Sequence, residues 1–184
     1  MLFYETERLI LRQWWDEDII PFAAMNADPL VMEFFPQLRT REESQQALQK
    51  IQAHFVEYGY GVYAITDKAH NFIGMVGLQV NPDKFSFSPC VEIMWRIVHR
   101  SWGNGYAPEA ARKCLEIGLQ EFNLPEIVSF TAAINLKSQR VMEKIGLQRD
   151  FLADFIHPSL AATHRLNPHV LYRIRRNEFK QKYS

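Results

Sequence analysis

Arg100-Ser101-Trp102-Gly103-Asn104-Gly105-Tyr106-Ala107 is the stretch on which the fold of this chain turns. A β-rich run, Val91-Glu92-Ile93-Met94-Trp95-Arg96-Ile97-Val98, leads into it, and an amphipathic helical pattern over residues 106–122 leads out. Ala107, Ala110, Ala111, Cys114, Leu115, Gly118, Leu119 and Phe122 fall on one side of that helix, and the charged residues fall on the other. A period of 3.6 separates the two sets, with Ile117 the exception. Pro108 is tolerated because it lies in the first turn. A glycine-rich turn entering a helix can aim several main-chain N–H groups at one point, and the helix N-terminus adds about half a positive charge. Such a turn cradles a pyrophosphate without a lysine. Other phosphate loops fit less well. A Walker loop needs four residues between its glycines and then Lys and Ser/Thr. The dinucleotide fingerprint needs a glycine where Pro108 stands and belongs in a first βα unit. On spacing alone, a glycine-rich turn capping an ordinary helix stays open beside the phosphate cradle.

Working outward, Arg8-Leu9-Ile10-Leu11-Arg12 reads as a strand. Residues 16–27 read as a helix with Asp16 or Asp18 as cap and Pro21 near its start. Thr40-Arg41-Glu42-Glu43 is a capping box. Ala47, Leu48, Ile51, Phe55 and Tyr58 follow at helical spacing, and Gly59 closes the helix. Residues 61–66 and 72–80 form a predicted hairpin, in which Gly74 and Gly77 mark a bulge or a close backbone approach. Residues 81–89 are a loop and residues 127–132 a strand. Asn135 begins a helix with Val141, Met142 and Ile145 inside, and Gly146 ends it. Residues 147–155 and 169–174 read as two last strands around a long loop. This mixed order predicts an α/β (α+β) layer fold with a partly antiparallel sheet.

Composition narrows the class. The 184 residues, 47% of them hydrophobic, suit a single domain spanning 1–184. Lys+Arg and Asp+Glu are both 21, so nothing marks a nucleic-acid binder. No apolar run reaches the roughly 18 residues of a membrane span. Met1-Leu2-Phe3-Tyr4-Glu5 lacks the order of an export signal, so a cytoplasmic location is the expectation. Cys90 and Cys114 cannot build a disulfide framework. His157, His164 and His169 match no zinc spacing, so no metal is expected.

The loop resembles the acyl-CoA signature of the GNAT superfamily, Arg/Gln-x-x-Gly-x-Gly/Ala, here Arg100-x-x-Gly103-x-Gly105. More of the chain is similar to the branch containing the RimJ/RimL-type ribosomal-protein N-acetyltransferases. The similar segments are Thr6-Glu7-Arg8-Leu9-Ile10-Leu11-Arg12, Asp28-Pro29-x-Val31-Met32, Ile73-Gly74-x-Val76-Gly77-Leu78, Trp102 through Ala110, and Asn135-x-x-Ser138-x-x-Val141-Met142-Glu143-Lys144-Ile145-Gly146-Leu147. The family's Glu-Ile-Gly-Tyr reads Glu92-Ile93-Met94-Trp95 here, and the bulkier residues imply a reshaped acceptor cavity.

The resemblance implies a GNAT fold: a mixed, mostly antiparallel sheet of about seven strands, with helices on both faces and its fourth and fifth strands splayed. Those strands map to residues 91–98 and 127–132. Acetyl-CoA would lay its pantetheine in the gap, its pyrophosphate on the main chain of Trp102, Gly103, Asn104, Gly105, Tyr106 and Ala107 with Arg100 beside it, and its amides against Ile97 and Val98. Transfer would be a direct attack by an amine. The family's acceptor site uses the loop near Phe34 and the late loop over residues 156–168.

That chemistry needs a neutral amine. At pH 7 an α-amine is roughly 10% free and a lysine about 0.04% free, a difference of about 3–4 kcal/mol. Glu92 is the candidate base, against the plain reading of a strand-end glutamate paired with an arginine such as Arg96. Asn135 is either a helix cap or a pantetheine contact. Ser138 either protonates the leaving sulfur or packs as a small helix residue. The acceptor expected is a primary amine on a protein N-terminus, possible also on a small molecule, with the protein a monomer or homodimer. A non-catalytic acyl-CoA-binding module and a plain nucleotide-binding domain are the rival readings.

Overall fold

The structure, a computed structural model, describes residues 3–183, so Met1, Leu2 and Ser184 lie outside the described residues. Its strands are β1 (Phe3–Glu5), β2 (Leu9–Arg12), β3 (Val62–Asp67), β4 (Phe72–Asn81), β5 (Cys90–Ile97), β6 (Glu126–Ala132), β7 (Gln148–Arg149), β8 (Phe155–Ile156) and β9 (Pro168–Arg175). Its helices are α1 (Ile19–Ala27), α2 (Arg41–Tyr58), α3 (Tyr106–Glu116), α4 (Leu136–Lys144) and α5 (Arg176–Tyr183). One sheet runs in the order β1-β2-β3-β4-β5-β6-β9-β7, with β8 also on β9. Among the described residues only β5 and β6 pair in parallel.

Nine strands replace the seven read from sequence. β1 is one addition. The other arises because the predicted strand over residues 147–155 is broken by a 3₁₀ turn, Phe151–Ala153. There the Asp150 carboxylate accepts the Leu152 N–H at 3.2 Å, and Arg149 pairs with Asp154 at 2.6 Å. A short polar side chain bonding its own backbone two residues on competes with the ladder. α5 was not read at all.

Side chains alternate across a sheet. Arg96 of β5 reaches Asn26 of α1, which sets α1 on the Glu92–Met94–Arg96 face. The other face carries Leu78 and Ile127, which pack on Gly118 so closely that an added Cβ would lie 2.7 Å from each. The helix over 106–122 therefore covers that second face. It is α3 followed by a π-helical turn, Ile117–Glu121. The Phe122 N–H bonds to the Ile117 carbonyl, five residues back, at 3.1 Å. The wider turn rotates the following register, and Ile117, outside the apolar stripe, is fully buried.

The capping box is present: Glu43 N–H donates to Thr40 Oγ1 at 3.1 Å and Thr40 N–H to Glu43 Oε2 at 2.8 Å. Gly59 closes α2 at φ +76°. Gly74 and Gly77 mark close approaches: a Cβ on either would sit 2.1 or 2.2 Å from the carbonyl oxygen of Arg96 or Gly61. Among the described residues no helix is long and apolar enough to cross a membrane.

The entrance to α1 corrects the expected cap. Neither Asp16 nor Asp18 caps the helix with its side chain. Asp18 instead accepts the Trp15 N–H at 2.8 Å and grips the Arg12 guanidinium with both oxygens, at 2.6 and 2.9 Å. Both residues are buried. Removing one partner of a buried pair strands the other charge, so Asp18→Asn should cost about 3–5 kcal/mol in urea denaturation at pH 7. Asp16→Asn, exposed, should change stability by less than about 0.5 kcal/mol.

Candidate active site

β5 and β6 share one rung, Glu92 opposite Val128, and then part. Val98 N–H bonds to the Ile73 carbonyl at 3.0 Å, so even-numbered residues of β5 turn their main chain toward β4. Odd-numbered ones, Ile93, Trp95 and Ile97, turn theirs toward β6. The carbonyl of Ile93, where the next rung would form, is taken by the buried Ser129 hydroxyl at 2.9 Å. Beyond it the gap is lined by the main chain of Trp95 and Ile97. This is the splay, and its edge residues differ from those expected. Val98 has its N–H on Ile73 and its carbonyl on Ser101 N–H at 2.9 Å. Ile97 faces the gap, but its carbonyl accepts Trp102 Nε1–H at 2.8 Å.

The gap opens toward the glycine loop. Gly103 and Gly105 have φ of +79° and +77°, a region open chiefly to glycine. Gly105 is the residue before α3, and no side chain caps that helix start. The loop is held from behind. Asn104 Nδ2 donates to the Ser101 and Trp102 carbonyls at 3.1 and 3.2 Å. Arg100 is tied to the Phe72 carbonyl at 3.0 Å. Arg8 donates to the Asn104 carbonyl at 2.9 Å and to Glu109 Oε2 at 2.7 Å, while its guanidinium covers the Tyr106 ring at 4.9 Å. Burial alone would raise the Glu109 carboxyl, but bonds from Thr6 and Arg8 hold it below its ordinary value. Lys137 of α4 lies over Trp102, 4.5 Å from its ring centre. Arg8, Arg112 and Lys144, with Glu7 and Glu109 among them, line a cavity of about 380 Å³ beside Gly105, a wall of mixed charge that the loop motif alone did not signal.

Glu92 stands at the closed end of the splay, partly buried on the α1 face. Burial pushes its carboxyl up to about 7, opposed by the Asn81 amide, which donates at 3.1 Å, and by the charge of Lys84. It is not paired with Arg96, whose partners are Asn26 and the Phe35 ring. Phe85 packs edge to face on Phe130, Phe155 and His157 and stacks flat on Phe87. Burial first, then His169 and Lys84, pull the His157 imidazole down to about 4. On the opposite wall Asn135 caps α4, accepting the Ser138 N–H at 3.2 Å and donating to Thr131 Oγ1 at 3.0 Å. Its cap role is thus visible, and Ser138 sits one turn along, partly buried. The late loop and the segment after α1, the two expected around an acceptor, meet where Arg165 donates to the Glu33 carbonyl at 2.6 Å. Cys90 and Cys114 are not in a disulfide. Tyr172 is a buried strand residue, its hydroxyl 3.3 Å from Glu143 Oε1. Among the described residues no cluster of His, Cys, Asp and Glu is placed to hold a metal.

The profile of the acetyltransferase (GNAT) domain matches residues 8–148, which hold both walls of the splay and the glycine loop. The chain belongs to the GNAT acetyltransferase family. The Bacillus subtilis protein YkkB is 32% identical over 144 residues, covering 77% of this chain and 83% of its own. An acetyltransferase structure from Agrobacterium tumefaciens superposes with a TM-score of 0.78 at 25% identity, covering 95% of each chain. The spermidine N-acetyltransferase of Vibrio cholerae, solved with CoA and spermine, superposes at 0.75 with 18% identity, over 95% of this chain and 99% of that one, a likeness of fold alone. In this GNAT acetyltransferase the Ser129–Ile93 bond holds the buried margin of the splay. Ser129→Ala leaves the Ile93 carbonyl without its partner, and thermal unfolding should read a loss of about 1–3 kcal/mol.

Proposed function

We propose that this enzyme transfers acetyl from acetyl-CoA to a primary amine by direct attack, with Glu92 as the base. The carrying observation is the placement of a carboxyl titrating near 7 at the closed end of a one-rung splay whose open end leads to a glycine loop. The residues fit the donor in kind: two left-handed glycines at a helix start for the pyrophosphate, and the main chain of Trp95 and Ile97 for the pantetheine amides. Acetyl-CoA supplies the thioester. Glu92, directly or through a water, takes the proton of the ammonium, and a pKa near the working pH suits that transfer. A main-chain N–H at the splay meets the oxygen that gains charge. As the adduct collapses, Ser138 gives a proton to the departing sulfur and receives, through water, the second proton shed by the attacking nitrogen, while Asn135 steadies the start of α4 beside the donor.

The acceptor we put first is the amino terminus of a protein, of the ribosomal kind that the RimJ/RimL-like segments suggest, because an α-amine needs the least deprotonation. A small amine is the second reading, and the Vibrio cholerae relative acts on one. We place the enzyme in the cytoplasm, as a monomer or homodimer, with no metal.

The pH behaviour of Glu92 tests the role. Unfolded, this carboxyl ionises near its ordinary value, whereas folded it keeps its proton up to about 7. Between those values the folded state binds more protons, so stability falls as pH rises through the window and is level above it. Glu92→Gln removes that loss. It should melt above the parent at pH 8 by on the order of 1–3 kcal/mol, and equally with it at pH 4. Its turnover at pH 7.5, read as released CoA thiol, should fall about 10²- to 10⁴-fold. Near-parental turnover in both Glu92→Gln and Ser138→Ala would remove both role assignments. Gly103→Val should weaken acetyl-CoA binding in calorimetry, since a side chain there projects into space that holds no protein atom within 4 Å.

A further inference from the structure

The chain buries two guanidinium groups in very different company. Arg12 sits against Asp18, charge on charge. Arg96 is only 7% exposed, yet its partners are neutral: Nη1 donates to the Asn26 side-chain carbonyl, and the guanidinium lies 4.2 Å from the centre of the Phe35 ring. Its Nε has no hydrogen-bond partner. No carboxylate among the described residues pairs with it, and the charge that acts on it is a second cation, Arg39. Burial and then Arg39 pull it down to about 9, so it stays charged at neutral pH. A buried cation without an anion is costly and is normally neutralised by a partner.

The position of Arg96 says where that partner comes from. It shares the sheet face of Glu92 and Met94, on the part of β5 that has left β6. The covering Phe35 belongs to the segment after α1 that Arg165 ties to the late loop. The glycine loop enters α3 on the opposite face, so the phosphates of the donor lie away from this group. The Asn26 side chain donates its Nδ2–H to Ser44 Oγ at 3.0 Å, which turns its carbonyl toward Arg96, and its main-chain carbonyl accepts the Arg39 N–H at 3.0 Å.

We propose that Arg96, with Arg39 behind it, binds a carboxylate carried by the amine acceptor, so that the enzyme selects amines bearing an acid over neutral or polycationic ones. The inference rests on the acetyl-transfer reading and adds the acceptor's chemical class to it. A planar guanidinium suits a carboxylate by two parallel bonds, while a second ammonium on the acceptor is repelled by both arginines.

The test compares three acceptors of one length, an ω-amino acid, an alkylamine and a diamine, over chains of three to six carbons. Thiol release gives kcat/KM, and calorimetry on enzyme saturated with CoA gives affinity where turnover is slow. The acid should exceed the alkylamine by about ten- to a hundredfold in either measurement, with the diamine last. A peptide pair differing only in Glu or Gln after its first residue shows whether the carboxylate arrives on a peptide or on a small molecule. Arg96→Gln should bring acid and alkylamine to within about threefold. Arg96→Lys should restore part of the preference, because it returns the charge without the fork. If Arg96→Gln fails to fold, Arg39→Gln, on a less buried residue, should still lower the preference severalfold. Equal use of acid and alkylamine by the parent enzyme overturns the proposal while leaving acetyl transfer intact. So does an Arg96→Gln effect equal for all acceptors or confined to the affinity for acetyl-CoA. Absence of both CoA binding and thiol release with every amine would instead remove the underlying enzymatic reading.

Discussion

The site depends on a parallel strand pair that stops after one rung. A regular ladder would satisfy the Ile93 carbonyl from the main chain of β6 and keep the strands about 4.8 Å apart. Here the Ser129 hydroxyl takes that carbonyl instead, so the strands can diverge without leaving a buried acceptor unpaired. Divergence leaves polar edges on β5 directed into the gap, and such edges bind an extended, amide-rich chain as another strand would. The antiparallel ladders on either side, β4 on β5 and β9 on β6, run the full length of both strands and hold the two walls rigid.

The sheet also divides the labour between its faces. On one side lie α3 and the glycine loop, fastened to the start of β2 by the Thr6, Arg8 and Glu109 bonds. On the other lie α1, the segment carrying Phe35, and the carboxyl and guanidinium of β5, Glu92 and Arg96. Burial favours the neutral form of both, raising the carboxyl and lowering the guanidinium, yet only the carboxyl can lose its charge near neutrality. The pair therefore presents a carboxyl and a cation along one strand, and reversing their order would take the carboxyl from the closed end of the gap.

What could be read from sequence alone follows a physical line. The glycine loop, the Thr40 capping box and the Gly59 terminus are local devices whose partners lie within a few residues, and each is found where the letters place it. Glu92 and Asn135 could be picked out because their surroundings repeat a family pattern. The rest required tertiary context. Ile117 is buried by a wide helical turn that its composition does not announce. Ser129 looks like any small residue in a β-rich run until its partner on β5 is known. The expectation that Val98 would face the gap failed because β-strand parity is set by the register with β4, which no single strand reveals. Arg96 read as a candidate partner for Glu92, and only the fold shows its direct partners to be Asn26 and the Phe35 ring.

The margins of the sheet carry a consequence for how the molecule behaves among copies of itself. A large sheet ends in two rows of amides and carbonyls that could template further strands. Among the described residues one margin is β1, three residues long, and the other is β7 and β8, two residues each, set side by side on β9. The kinked turn after β7 then swings the chain aside and sets the Arg149–Asp154 pair beside the break. Neither border offers a length over which a neighbour could zip on, so crowding at high concentration meets blunt, charged rims rather than a growing ribbon.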